Sequence, residues 1–368
     1  MEKSFSDMRI AIIGSRGIPA NYGGFETFAE EISIHLSNEK FDITVVCQKG
    51  KATKPFFQEV ALKYSRFTKD KNPVRFYYDS LKIASADADI ILACGVGGSI
   101  FYHLLKRKRT KIITHVDGRE ELREKYSWLK KIYVRIAQSF AAKYSDHIIA
   151  DSHAVKKHWQ EEYGLPEIKI SAIGFGAHVN SDSDDSILVD FGLDKKSYYL
   201  VICRMVPENN LGTIIQGYLL SGSKYKLILV GGLSGSFGEQ LKKYSSDQIR
   251  FLGGIYNKSK LNALRKQCNA YLHGHTVGGT NPSLLESMAA GNICICHDNV
   301  FNRETTDNEM LYFKDKDELA EKIRLVESMD ETEIERFTAK GKLRISSVYN
   351  WENITRQYAQ LFNSLHSS

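Results

Sequence analysis

The chain has 368 residues, of which 42% are hydrophobic and 26% charged, with a formal net charge of +6. This composition suits a globular protein of roughly two domains. The mildly basic balance fits anionic ligands or an anionic membrane surface and carries no nucleic-acid signature.

In chain order, short apolar β-branched runs predict strands at 8–14, 42–47, 89–94, 111–116, 147–151 and 169–174. A second series follows at 198–203, 225–232, 249–254, 269–274, 292–298 and 310–313. Helical patterns lie between them. Continuous apolar strands alternating with helices indicate parallel sheets covered on both faces. Two such series predict an α/β chain with two doubly wound, Rossmann-like domains. The polar, acidic, turn-rich stretch 181–197 is expected to be the linker between domains at 1–180 and 198–345. The end, 346–368, reads as a helix, with Ile354, Tyr358, Leu361 and Leu365 recurring at spacings of three to four.

Six cysteines at 47, 94, 203, 268, 294 and 296 stand singly, mostly in apolar runs, and form no CxxC pair. They read as buried reduced thiols in a reducing, cytoplasmic compartment. The first apolar run, "MRIAIIG", is too short for a signal peptide, and no run approaches the ~20 apolar residues of a membrane span.

Ligands of open α/β sheets bind beyond the carboxyl ends of the strands. After the first strand comes "SRGIPANYGGFETFAEEI", in which Gly23 and Gly24 directly precede an amphipathic helix. Glycine permits close approach of a ligand, and free helix-terminal amides favour phosphate; an ordinary strand–loop–helix connection is the alternative. "GSRGIP" lacks the G-x-G-x-x-G fingerprint, which disfavours a nicotinamide cofactor. His115 lies near the carboxyl end of the run at 111–116, and Asp117 follows it. A histidine there faces a ligand or is a satisfied core residue. Arg204 follows the run at 198–203, and an arginine at a sheet end calls for a phosphate or a carboxylate.

The stretch "HTVGGTNPSLLESMAAGN" (275–292) opens a helix. Pro282 fits its first position and Asn281 its N-cap, leaving the amides of Ser283 and Leu284 as expected orphan donors. Leu284, Leu285, Met288 and Ala289 form its apolar face. Glu286, one turn in, either complements the helix dipole or accepts hydrogen bonds from a sugar hydroxyl. "DAD" (87–89) and "DSD" (182–184) mimic a metal-binding motif without a third ligand nearby, so no metal site is predicted.

These residues together resemble the retaining glycosyltransferases of family 4, which have the GT-B fold. The resemblance covers essentially the whole chain. It rests on "IPANYGGFETFAEEI", "CRMVPENN", "GGTNPSLLESMAAGN" and "YNWENITRQYAQLF". The pair "GSRGIPANYGGFET" and "GHTVGGTNPSLLE" is similar to bacterial rhamnosyltransferases of capsule, O-antigen or cell-wall synthesis. The resemblance implies two Rossmann-like domains facing a central cleft, with the terminal helix crossing back to the first. It implies transfer of L-rhamnose from thymidine-diphosphate rhamnose with retention (a β-linked product), onto a polyprenyl-diphosphate-linked saccharide.

By position, it places Gly23 and Gly24 against the diphosphate and gives Arg204 its neutralisation. The amides around Ser283 and Leu284 meet its distal end, with Gly279, Thr280 and Asn281 beside them. Glu286 takes the nucleoside's sugar hydroxyl, and His115 sits by the transferred sugar. Tyr22, Glu26 and Asp117 fall on the acceptor side, Asp117 or Glu26 being alternatives to the departing phosphate as base. The chain departs from the family at two places. Gly278 stands where the family has glutamate, and Asn209 where it has lysine. Amides of Gly278, Gly279 and Thr280 then replace the glutamate, and Lys258, Lys260 or Arg16 is expected to supply the missing charge.

No metal or other cofactor is expected. Lys106, Arg107, Lys108, Arg109, Lys111, Lys130, Lys131 and Arg135 lie among apolar and aromatic residues. They are read as a surface for anionic lipid, which predicts peripheral association with the inner face of the plasma membrane. A transferase using a UDP-hexose or UDP-N-acetylhexosamine is the alternative. A sugar-nucleotide epimerase or a non-catalytic nucleotide-sugar binder is the third.

Overall fold

A computed structural model describes residues 8–20, 23–50, 53–105, 110–118, 121, 126–179, 182–233 and 235–367. These divide into two compact units. The first holds the described residues up to Glu121, Tyr126–Phe175 and those from Trp351 onward; the second holds Gly176–Asn350.

In the first unit the chain order is β1 (Arg9–Ile13), α1 (Gly24–Asn38), β2 (Asp42–Cys47), β3 (Phe56–Phe57), β4 (Val60–Tyr64), α2 (Pro73–Ala84) and β5 (Ile90–Cys94). A 3₁₀ stretch (Val96–Leu104), β6 (Lys111–Val116), α3 (Trp128–Tyr144), β7 (His147–Ala150), α4 (His153–Tyr163) and β8 (Ile170–Ala172) follow. Among the described residues the sheet runs β3-β4-β2-β1-β5-β6-β7-β8, parallel except for the β3–β4 pair. All five residues of β5 are buried, as expected of a strand covered on both faces.

The second unit contains α5 (Ser186–Asp190), β9 (Tyr198–Ile202), α6 (Leu211–Ser221), β10 (Lys226–Val230), α7 (Gly235–Lys242), β11 (Ile249–Gly253), α8 (Lys258–Gln267) and β12 (Ala270–His273). It continues with α9 (Pro282–Ala289), β13 (Cys294–His297), α10 (Val300–Thr306), β14 (Leu311–Phe313), α11 (Lys316–Ser328) and α12 (Glu331–Ser347). Its sheet order is β11-β10-β9-β12-β13-β14, with every pairing parallel. Helices α6 and α11 pack closely because Gly217 has no side chain. A Cβ there would lie 2.8 Å from both Leu319 Cδ2 and Lys316 O.

Every predicted strand forms. The pattern missed the β3–β4 hairpin, whose short, partly exposed strands carry Lys63 and lack a continuous apolar run. The stretch 181–197 falls within the second unit, where α5 buries Ile187 and Leu188 and Lys260 Nζ on α8 reaches Asp190 at 3.1 Å. The final helix, α13 (Trp351–His366), starts later than expected and belongs to the first unit. Its buried face is Trp351, Ile354, Thr355, Tyr358 and Phe362; Leu361 and Leu365 lie off it. The reason is the 3.6-residue period, which carries the face from Tyr358 to Phe362. Tyr358 and Phe362 pack against Phe28 of α1 and Phe41, with ring centroids at 5.6 and 6.3 Å. The described cysteines are all free thiols, and all but Cys203 are buried.

Phe362→Ala removes a fully buried ring from this seam. It is expected to lower the stability of the first unit by about 3–5 kcal/mol. Denaturant unfolding followed by Trp351 fluorescence measures this; a loss below about 1 kcal/mol would contradict the packing.

Candidate functional site

In the second sheet β9 lies between β10 and β12. The chain leaves β9 toward β10 and later crosses back to place β12 on its other side. Connections after β9 and β12 therefore diverge, which opens a crevice at their carboxyl ends. Arg204 lies two residues beyond the end of β9, and the glycine-rich stretch follows β12.

Arg204 is exposed, and its guanidinium pairs with no carboxylate among the described residues. Its position comes from the backbone. Asn209, 2% exposed, donates Nδ2–H to the Arg204 carbonyl at 2.7 Å. Asn210 donates Nδ2–H to the Gly274 carbonyl at 2.8 Å, which ties this loop to the end of β12. The Glu208 carbonyl accepts from Thr276 N–H and Oγ1–H at 3.1 and 2.9 Å. Asn209 therefore shapes the arginine loop rather than replacing a charge. The Glu208 carboxylate is buried with no hydrogen-bond donor among the described residues.

Helix α9 begins as predicted, with Asn281 as N-cap and Pro282 in the first turn. The expected orphan amides are nevertheless satisfied. Ser283 N–H donates to Asn281 Oδ1 at 3.0 Å, and Leu284 N–H to Asn281 O at 3.0 Å. The physical reason is local: the cap residue and a tight first turn consume both donors. The donors left without a described acceptor lie one step earlier, on the backbone of Gly278, Gly279 and Asn281. The Ser283 hydroxyl is also engaged, bonding the Ile202 carbonyl at 2.9 Å and the Tyr271 hydroxyl at 2.6 Å. Leu284, Leu285, Met288 and Ala289 are buried as expected.

Glu286 is held by a residue that the sequence reading missed. Arg265 on α8 is 3% exposed and donates from Nη2 to Glu286 Oε2, while Nη1 bonds Asn262 Oδ1 at 3.1 Å. The signal was present: Arg265 stands four residues after Leu261 and three before Cys268, on the apolar face of α8. Lys260, expected to add charge near a phosphate, pairs with Asp190 instead.

In the first unit the loop after β1 leads to Gly23, which adopts φ 95° as it enters α1. A Cβ on Gly23 would come within 2.7 Å of Glu26 Oε2. Both φ and space therefore favour glycine. The carboxylate of Glu26 is 4% exposed and accepts Arg16 N–H at 3.0 Å and Arg16 Nη1–H at 3.1 Å. Arg16 also reaches Asp70 at 2.7 Å. Glu26 and Arg16 thus neutralise one another and pin the loop. Neither is placed as a free base or a free phosphate ligand.

His115 is fully buried in an aromatic box of Phe25, Phe28 and Phe175, with ring centroids at 5.4, 4.7 and 5.3 Å. Tyr358 Oη lies 3.1 Å from its Nδ1, and its Nε2 has no partner among the described residues. Burial pulls its pKa down to about 4, opposed weakly by Asp117, so the imidazole is neutral at physiological pH. Asp117 is half-buried just beyond it. Tyr22 and Lys106 to Arg109 lie outside the described residues. Asp87 and Asp89 of the rejected "DAD" pair with Lys63 and Arg9, at 2.7 and 3.0 Å.

Residues 8–178 match a domain of unknown function (DUF1972), and residues 185–344 match the glycosyl transferases group 1 family. No curated protein matches the chain. Sucrose-phosphate synthase from Thermosynechococcus elongatus superposes with a TM-score of 0.80 at 15% identity, covering 98% of this chain and 99% of that one. HepE from Anabaena, solved with UDP-glucose, gives 0.74 at 15%, covering 97% and 100%. An α,α-trehalose 6-phosphate synthase from Burkholderia multivorans gives 0.76 at 12%, covering 98% and 97%. The chain has the GT-B fold, with a group 1 glycosyltransferase domain in its second half.

Burial also lowers the pKa of His273, to about 3. Below the unfolded value of 6.5, the unfolded chain binds a proton that His115 refuses until about 4. Stability is therefore complete above pH 6.5 and falls as pH drops toward 4, by about 1.4 kcal/mol per pH unit for each buried histidine. His115→Gln should flatten the slope for the first unit by that amount. Denaturant unfolding between pH 4.5 and 6.5 measures it, and an unchanged slope would refute the buried neutral imidazole.

Proposed function

We propose that this group 1 glycosyltransferase, of GT-B fold, moves L-rhamnose from thymidine-diphosphate rhamnose onto a polyprenyl-diphosphate-linked saccharide, with retention at the anomeric carbon. The observation that carries the reading is the exposed Arg204 at the carboxyl end of β9, which has no carboxylate partner among the described residues, with the amides of Gly278, Gly279 and Asn281, which have no described acceptor, after adjacent β12. An exposed guanidinium and backbone N–H groups in such a crevice suit a diphosphate.

The chemistry follows from charge. The bond between the anomeric carbon and the β-phosphate oxygen breaks, and negative charge grows on that phosphate. Arg204 and the amides stabilise the charge more in the transition state than in the ground state. The acceptor hydroxyl bonds the anomeric carbon and yields its proton to the departing phosphate oxygen. Positive charge comes from the protein in this scheme, and no metal is invoked. With the amides of Ser283 and Leu284 consumed by Asn281, the distal phosphate contact moves to the glycine stretch. Glu286 receives the nucleoside's sugar hydroxyl. In the first unit, Gly23 and Gly24 permit close approach to the start of α1. Neutral His115 serves as a hydrogen-bonding group beside the transferred sugar and Asp117 as the acceptor-side carboxylate.

A UDP-hexose is the second reading, favoured by the full-length structural match to HepE, which was solved with UDP-glucose. A thermal-shift panel of thymidine-diphosphate rhamnose, UDP-glucose, UDP-N-acetylglucosamine and GDP-mannose separates the two. The expected result is a selective rise in melting temperature with thymidine-diphosphate rhamnose, lost in Arg204→Ala and Glu286→Ala. A selective shift with a UDP-sugar would overturn the rhamnose assignment.

Support for a lipid-linked acceptor comes from α3. It exposes Trp128, Leu129, Ile132 and Ile136 beside exposed Lys130 and Arg135. An apolar stripe flanked by cations suits an anionic bilayer surface. Among the described residues no helix is long and apolar enough to cross a membrane. The protein should float with vesicles containing anionic lipid, and Trp128→Ala with Ile132→Ser should abolish flotation. Flotation indifferent to anionic lipid would refute the surface.

A further inference from the structure

His115 has one polar neighbour able to decide which of its ring nitrogens carries the hydrogen. The side chains of its box, Phe25, Phe28 and Phe175, offer neither nitrogen nor oxygen. Tyr358 Oη lies 3.1 Å from Nδ1, and Nε2 has no partner among the described residues. His115 and Tyr358 are both fully buried. The Tyr358 hydroxyl has no second hydrogen-bond partner among the described residues. Burial keeps the imidazole neutral and raises the phenol well above its ordinary value, so both groups keep one hydrogen at physiological pH.

A neutral imidazole has one N–H and one nitrogen lone pair. If Nδ1–H donated to Tyr358 Oη, the hydroxyl hydrogen would be buried without an acceptor, and the Nε2 lone pair would be unmet as well. If Tyr358 O–H donates to Nδ1, both of those groups are used and only Nε2–H remains. Turning the ring over would set a carbon against the hydroxyl and strand its hydrogen again. An unmade buried hydrogen bond carries the full cost of desolvation, so the arrangement that strands least prevails. We infer that Tyr358 is a positioning residue: its O–H on Nδ1 fixes His115 as the Nε2–H tautomer, which makes Nε2 a hydrogen-bond donor to an acceptor oxygen of the transferred sugar. This assignment depends on His115 lying beside that sugar, as proposed above. It adds the direction of the hydrogen bond and the residue on α13 that sets it. The ligand atom at Nε2 must then bring a lone pair, as a hydroxyl or ring oxygen does.

Nitrogen-15 NMR of the full chain without ligand reads the tautomer, with the His115 signals identified by their loss in His115→Gln. A pyrrole-like Nε2 and a hydrogen-bonded, pyridine-like Nδ1 are expected. A hydrogen on Nδ1 would overturn the inference. Tyr358→Phe removes one oxygen and should move the Nδ1 signal as the hydrogen bond is lost. Calorimetry then compares thymidine-diphosphate rhamnose with thymidine diphosphate, or UDP-glucose with UDP if that is the sugar nucleotide that binds. Tyr358→Phe should weaken the sugar nucleotide relative to its diphosphate by about 3- to 10-fold, the size of one hydrogen bond. A merely structural role would weaken both alike, and an unmoved ratio would overturn the positioning role.

If Tyr358→Phe does not fold, the unsubstituted protein still decides. Its Nε2–H signal should move on adding the sugar nucleotide and stay in place on adding the diphosphate alone; the same signal with both would overturn the inference. His115→Ala separates the two levels. If it leaves the affinity for the sugar nucleotide unchanged, the placement of His115 beside the sugar fails, and this inference with it, whatever the tautomer.

Discussion

The functional part of the second unit depends on β9 lying between β10 and β12. A parallel sheet that grows first to one side and then to the other cannot carry its connections across the reversal. Polar backbone at the ends of β9 and β12 is therefore left facing an opening. Arg204 and the 274–281 stretch are the residues that this topology leaves there. Their satisfied neighbours hold them in place: Asn209 on the Arg204 carbonyl, Asn210 on Gly274 and Ser283 on Ile202. The side chains of Asn209, Asn210 and Ser283 fix the loops, which leaves the Arg204 guanidinium and the amides of Gly278, Gly279 and Asn281 without a partner among the described residues.

The same division appears in the first unit. Glu26, a charged residue beside the glycine pair, is consumed by Arg16, and the result is a pinned loop rather than a base. His115 is enclosed by phenylalanines and touches Tyr358 from the last helix. The end of the chain thus completes the box around the histidine. A neutral imidazole in such a box is a fixed hydrogen-bonding group rather than a proton carrier at physiological pH.

The fold was largely legible in the sequence, because buried parallel strands are continuous apolar runs and their spacing sets the helices. The β3–β4 hairpin was not, since a two-residue edge strand and its short, partly exposed neighbour leave no such run. The site was legible where a residue type is costly without a reason, as with Arg204 at a strand end or Pro282 after Asn281. What pattern could not show is which donors and acceptors neighbours consume. Ser283 and Leu284 looked free until Asn281 took both, and Glu286 looked alone although Arg265 lies behind it. These pairings join residues up to 21 positions apart, across elements whose contact only the fold creates. The burial of Arg265 on the apolar face of α8 was the one hint available beforehand.

The central claim is that the backbone after β12 and the loop after β9 bind a diphosphate together. Amide hydrogen exchange with and without thymidine diphosphate tests it most directly, because it reports each segment separately and needs no acceptor. The account predicts slowed exchange in both 204–210 and 276–286 on adding the nucleotide, with Arg204→Ala abolishing the protection in both. Nucleotide binding that leaves 276–286 unprotected would contradict it and reduce that stretch to an ordinary capped helix.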